Sequence, residues 1–312
     1  MSLHNPYFCT LMAFLMFCLL SCSKEDGSSQ SCELQVKAVL NQRGTKASLE
    51  HSDGQAAEIN EWVVEVRDVE KPGEIYYREV KPGEKGKKEQ TFNLFLSKDH
   101  VYDIAFWTHK SGCYLIDDLS QVRYSSLDKI GNSDTFDSFS TCIRFLAEPG
   151  SQISAELRRP LAQVNIVTND LPDLKAGSTK EAYLNYEPKN YVFRTLVPTS
   201  FNAFTGKASN EQLLTIVPVS GADRCYGNYE QAAELTKIFM TYVLSDSAEE
   251  QNTSEVRNID FSFKTGSVQM NYNFSSIPVK RNRRTNIIGS FLANAVTWEV
   301  VVLPDWDGQF ND

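Results

Sequence analysis

Hydrophobic and polar positions alternate with a period of two along most of the chain, the spacing of strands with one buried face. From Glu33 onward Leu34, Val36, Ala38 and Leu40 fall on one side and Gln35 and Lys37 on the other, with Val39 the one exception. Residues 62–69, 75–80, 91–96 and 101–109 read as further strands. The last carries apolar groups on both sides and is expected in the middle of a sheet. Lys71-Pro72-Gly73 and Lys81-Pro82-Gly83 supply turn chemistry between them. Residues 113–123, 138–146 and 151–157 complete the first half. Arg158-Arg159-Pro160 marks a boundary, because proline disfavours helix in its predecessor and a fresh alternating strand begins at Leu161. Strands are predicted over 161–168, 191–193, 213–219, 237–244, 258–263, 267–274, 286–293 and 296–303, and only 229–237 hints at a brief helix. Short strands with turn residues between them predict antiparallel sheets, since parallel neighbours need long crossovers. The expected fold is all-β, with two sandwiches over 33–158 and 159–312.

The first residues break this pattern. An apolar run over 7–20 is followed by Ser21-Cys22 and the polar stretch 23–29, the form of a signal peptide and too short to span a bilayer. Leu19-Leu20-Ser21-Cys22 resembles the bacterial lipobox. That resemblance implies a signal peptide over 1–21, lipid on the Cys22 sulfur, and a flexible linker over 22–32. Several acyl chains give near-permanent anchoring, at about 0.8 kcal/mol per buried methylene. Glu25-Asp26, close behind the cysteine, resembles the surface-export signals of Bacteroidetes lipoproteins. The expected location is the cell surface, on the outer membrane.

Composition removes whole classes of function. The formal net charge of −9 argues against a nucleic-acid partner, whose footprint would be basic. Hydrophobic residues at 41%, with 18 Phe and 13 Tyr, supply a packed core. Cys32, Cys113, Cys142 and Cys225 match no zinc spacing. They are read as buried thiols, with disulfide pairing left open. No HExxH, GxSxG, P-loop or dinucleotide motif occurs among the 312 residues. Asp117-Asp118, Asp134 with Asp137, and Asp305 with Asp307 are read as solvated turns, which Asp favours mechanically. Asp305-Trp306-Asp307-Gly308 starts like a calcium loop but lacks the later bidentate acid. Lys280-Arg281-Asn282-Arg283-Arg284 is read as a charged hairpin connection. Trp62, Trp107 and Trp298 fall in strands, and Trp306 in a terminal loop. The chain is therefore expected to be no enzyme and to carry no metal or cofactor.

Arg159-Pro160-Leu161-Ala162-Gln163-Val164-Asn165-Ile166, the strand at 238–244, and above all Ile277-Pro278-Val279-Lys280-Arg281-Asn282-Arg283-Arg284-Thr285-Asn286-Ile287-Ile288-Gly289 resemble the fimbrillin-like lipoproteins of Bacteroidetes. The likeness covers most of the mature chain and is strongest from Arg159 onward. It implies two tandem transthyretin-like antiparallel β-sandwich domains and a subunit of surface fimbriae, or type V pili. It also implies donor-strand exchange, in which an arginine-specific protease removes the first strand and a neighbour's strand fills the groove. Under that scheme Leu34, Val36, Ala38 and Leu40 are the plugs of the removable strand, and Arg43, in the polar loop behind it, is the cleaved residue. Lys46 would serve a trypsin-like enzyme, and Arg67 is a poor rival because it lies in a strand. The donor is expected in the C-terminal strand, through Val296, Trp298, Val300 and Val302. Expected partners are other fimbrial subunits of the same or a different chain, the outer membrane, the protease and a host ligand or glycan. The competing expectation is a non-polymerising surface lipoprotein that binds glycan or another host ligand through exposed aromatics such as Trp306.

Overall fold

The computed structural model describes residues 31–41, 56–176, 188–217, 235–246, 254–292 and 297–302. In chain order the strands of the first half are β1 (Ser31–Leu40), β2 (Glu61–Asp68), β3 (Tyr77–Pro82), β4 (Glu89–Ser97), β5 (Val101–His109), β6 (Tyr114–Ile116), β7 (Val122–Tyr124), β8 (Ser138–Leu146) and β9 (Gln152–Leu157). The second half holds β10 (Leu161–Thr168), a short helix α1 (Leu171–Ala176), β11 (Pro188–Asn202), β12 (Lys207–Ile216), β13 (Thr236–Leu244), β14 (Glu255–Thr265), β15 (Val268–Val279), β16 (Arg284–Gly289) and β17 (Trp298–Val302). Pro172 is tolerated in α1 because it occupies the first turn, where an amide has no helical partner.

Sheet β4-β1-β9 faces sheet β3-β2-β5-β8 to make the first sandwich. Their shared core holds Leu34, Val36, Ala38, Trp62, Val64, Phe92, Leu94, Ile104 and Phe106, all buried. Sheet β13-β10-β16-β17 faces a sheet of order β15-β14-β11-β7-β6, with β12 on the other flank of β11, to make the second. β5 lies inside its sheet, as its two apolar faces predict.

Two ladders depart from the antiparallel expectation. β1 pairs in parallel with β9, Val36 opposite Ile153 and Leu40 opposite Leu157. β10 pairs in parallel with β16, Val164 opposite Thr285. In both cases the intervening strands of the sandwich make the connection, so no crossover helix is needed. The two sandwiches thus share one plan, the first strand lying between an antiparallel and a parallel neighbour.

Residues 113–123 are a hairpin, and it belongs to the second sandwich's sheet although it precedes the boundary at 158. Ser200 pairs with Arg123 and Phe201 with Val122. The hairpin lies on the outer face of the β2–β5 sheet, whose Val63, Ala105 and Trp107 join the second sandwich's core. Trp107 meets Tyr114 edge-on at 5.2 Å and Phe201 at 5.7 Å between ring centroids. Polar clamps fix this junction. Arg78 donates to the carbonyls of Asp117 and Ile116 at 2.8 and 2.7 Å. The fully buried Glu65 accepts from the Leu119 amide at 2.9 Å and from Arg67. Asn132 exchanges hydrogen bonds with Met240, and the Leu244 amide donates to the Tyr124 hydroxyl.

Among the paired carboxylates, Asp137 is not solvated. It is 1% exposed and binds Arg159, also 1% exposed, through two hydrogen bonds of 2.8 and 3.0 Å. The Arg159 guanidinium also covers the Phe139 ring at 4.3 Å. Arg281, from the basic run, likewise turns inward, donating to the carbonyls of Ser245 and Gly206. Cys32, Cys113 and Cys142 are free thiols, and Cys225 lies outside the described residues. Burial, chiefly, together with the Asp103 carboxylate pushes the Cys142 thiol up to about 12, so alkylation at pH 8 should modify it far more slowly than a free cysteine, as peptide-level mass spectrometry would show.

Candidate functional site

β1 is the middle strand of its sheet and not an edge. It is antiparallel to β4 from Ser31 opposite Ser97 to Val39 opposite Glu89, and parallel to β9 from Gln35 opposite Gln152 to Leu40 opposite Leu157. Leu34, Val36 and Ala38 are 0% exposed and Leu40 is 5% exposed. Cys32 extends the same buried row, while Glu33, Gln35 and Lys37 face outward. Fully burying a Leu or Val contributes about 1.5–3 kcal/mol, so Leu34, Val36 and Leu40 together supply roughly 5–9 kcal/mol. That is comparable to the whole stability of a typical domain, about 5–15 kcal/mol. Taking β1 away would open a slot with unpaired backbone groups on both walls, a template for another strand.

Described chain ends at Asn41, directly behind β1, so Cys22, Arg43 and Lys46 lie outside the described residues. The expected donor strand is β17, which pairs antiparallel with β16, Thr285 opposite Val302 and Gly289 opposite Trp298. Trp298 is 40% exposed, its ring edge-on to Phe274 at 5.2 Å, while Val300 and Val302 are half-buried. Val296 and Trp306 lie outside the described residues. Trp62 and Trp107 are core residues.

A cleft of about 510 Å³ lies where the sandwiches meet, beside the β8 and β9 edges. Ser140, Cys142, Glu156 and Arg158 line it from the first sandwich, and Phe204 and Arg281 from the second. Ser140 bridges to Arg158 through two backbone hydrogen bonds of 2.8 and 3.0 Å, and its buried hydroxyl has no hydrogen-bond partner. β8 and β9 diverge from this bridge into opposite sheets. No sequence motif marks the cleft, because it is assembled from four separated segments, 140–143, 156–160, 201–206 and Arg281.

At the other end of the first sandwich, Asp68, Glu70 and His100 bring one donor atom each within 4.8 Å of one another. Nδ1 of His100 is 2.8 Å from the Asp68 carboxylate, and this pairing accounts for their closeness. The Asp68 carboxyl is held below its ordinary range by the Glu70 backbone amide and by His100. Lys85 and Lys110 do the same for Glu58, and His109 and Ser111 for Glu61, in each case against the cost of burial. Depressed folded-state values contribute stability above the unfolded pKa of about 4, and that stability is lost as pH falls through the folded values. Denaturant midpoints should therefore hold level from pH 7 to about 5 and drop below about pH 4.

The family of unknown function DUF6562 matches residues 25–312. No curated protein matches the chain. Among solved structures, the chain is similar to a candidate polysaccharide-binding protein (DUF1812) from Bacteroides thetaiotaomicron, at 14% identity and TM-score 0.48, over 88% of this chain and 96% of that one. It is similar to a fimbrial assembly protein from Parabacteroides distasonis, at 10% identity and TM-score 0.47, over 88% and 99%. It is also similar to the fimbrial anchor protein Mfa2 from Porphyromonas gingivalis, at 13% identity and TM-score 0.45, over 87% and 97%. With the family model spanning all of the described strands, the chain belongs to the family of unknown function DUF6562.

Proposed function

We propose that the chain is a structural and adhesive subunit of cell-surface fimbriae, exported as a lipoprotein anchored through Cys22 and assembled by exchanging β1 for a strand of a neighbouring subunit. One observation carries this reading. β1 is a self-contained plug, enclosed on both flanks, buried along one whole side and followed within three residues by Arg43. A proteolytic cut there would free the strand from the chain without breaking any other strand. An incoming segment of about eight residues would then make main-chain bonds over roughly 26 Å, with alternate side chains refilling the trough. The role calls for no catalytic step and no cofactor.

N-terminal sequencing of the protein taken from native cells tests it. A terminus at Gly44 is expected for polymerised material, together with palmitate incorporation in the precursor that a Cys22→Ala variant loses. A surface form that still begins at Cys22 and migrates only as a monomer refutes strand exchange for this subunit.

A further inference from the structure

We propose that the outer face of the second sandwich binds a carboxylate-bearing sugar, the uronic acid of an acidic glycan, in a shallow depression of about 300 Å³ whose polar walls are Arg194, Asp260, Ser262, Asn271 and Asn273. Three strands present these groups in two rows. Val192 of β11 lies opposite Ser262 of β14, which lies opposite Asn271 of β15, and Arg194, Asp260 and Asn273 form the next row. Neighbouring strands are about 4.8 Å apart and alternate residues of one strand about 6.8 Å, so the platform measures roughly 10 by 7 Å, room for a sugar ring. The register of the two ladders breaks just outside it, between Lys189 and Val192 at one end and between Arg257 and Ile259 at the other. Such irregularities bend a strand and re-aim its side chains. Between them the alternation is strict. Phe193, Phe261, Met270 and Phe274 are buried on the other side of the same strands, so a packed core backs the platform.

The partners of these groups select the ligand. Arg194 is exposed and lies opposite Asp260, yet it makes no hydrogen bond or ion pair among the described residues. Asp260 instead accepts from Nδ2 of Asn273 at 2.6 Å. An open guanidinium offers a planar fork of N–H donors that matches a carboxylate. With Asp260 one strand away, it suits a single negative charge better than a phosphate dianion. The remaining groups, a carboxylate, two side-chain amides and a hydroxyl, together donate and accept, as the hydroxyls of a sugar require. The formal net charge of −9 repels an acidic glycan at long range, so the attraction must come from this local arrangement. Binding of this kind supplies a ligand class for the adhesive role proposed above and rests on that role alone.

Titration of the full chain from Cys22 onward with D-glucuronate, D-glucose and acetate, followed by NMR, tests the site. Glucuronate should bind saturably, at least tenfold more tightly than glucose or acetate, and should shift the amide signals of residues 260–262 and 271–273. Arg194→Gln, at an exposed position, should keep the fold and lose that preference. Lys264→Gln, which removes an exposed cation of β14 outside the depression, should leave the preference intact. No saturable binding, glucuronate no tighter than glucose or acetate, a preference that survives Arg194→Gln, or one that Lys264→Gln removes equally, each overturns the assignment. Strand exchange is judged separately, by the amino terminus: a chain that ignores glucuronate but begins at Gly44 in polymers is still a fimbrial subunit.

Discussion

A chain that begins after Asn41 is expected to lose its first sandwich, and a ten-residue peptide with the sequence of β1 to restore it. Without β1, the buried faces of Phe92, Leu94, Ala155 and Leu157 open to water, and the facing backbone edges of β4 and β9 are left unpaired. The truncated protein should aggregate or show only the second sandwich's cooperative transition in denaturant. Adding the peptide should bring back the lost transition and the protection of β4 and β9 amides from exchange. A peptide with Leu34→Asp and Val36→Asp should not, since each buried carboxylate would lack a partner. Within the intact chain Val36→Asp alone should cost about 4 kcal/mol or more. A truncated chain that stays monomeric and fully folded without the peptide would show that β1 is ornamental.

Arg159→Ala should be nearly as damaging, at about 3–5 kcal/mol, because it leaves the Asp137 carboxylate buried without its bidentate partner. The loss falls on the connection between the sandwiches, since Asp137 directly precedes β8 and Arg159 lies two residues before β10. Asp137→Asn together with Arg159→Met should recover most of the stability, because both charges then leave the interior together. Chemical denaturation of Asp137→Asn, Arg159→Met and the double variant closes the cycle. Additive losses would mean that the pair is not coupled and that the damage is a packing defect.

These two sites were unequally legible in the sequence. β1 was plain, because one face is buried and the other wet, and residue types record that difference directly. The strand over 138–146 and the one over 161–168 were equally plain. β12 is legible only from Leu213, because residues 207–213 are almost wholly exposed and have no apolar side to alternate. Only three residues of β11, 191–193, carry strand patterning where the strand has fifteen, its turn-like Pro188 and internal Pro198 masking a strand that pairs on both flanks. The parallel ladders could not be read at all, since pairing direction leaves no local signature. Asp137 and Arg159 each looked like surface groups, and only their convergence across 22 positions of chain makes them an interior pair. The hairpin of β6 and β7 has ordinary strand patterning, and nothing in its residues says which sandwich owns it. Of the site expectations, the row from Leu34 to Leu40 and the residues Trp298, Val300 and Val302 can be placed in three dimensions, whereas Cys22, Arg43 and Val296 fall outside the described residues.

Enclosure of β1 also sets how the molecule answers to force. Consider a pull applied at Ser31 along the strand's own axis. It must slide β1 past β4 and β9 together, breaking both ladders at once, and cannot peel them one rung at a time. Under such a load β1 is held in shear by two ladders at once.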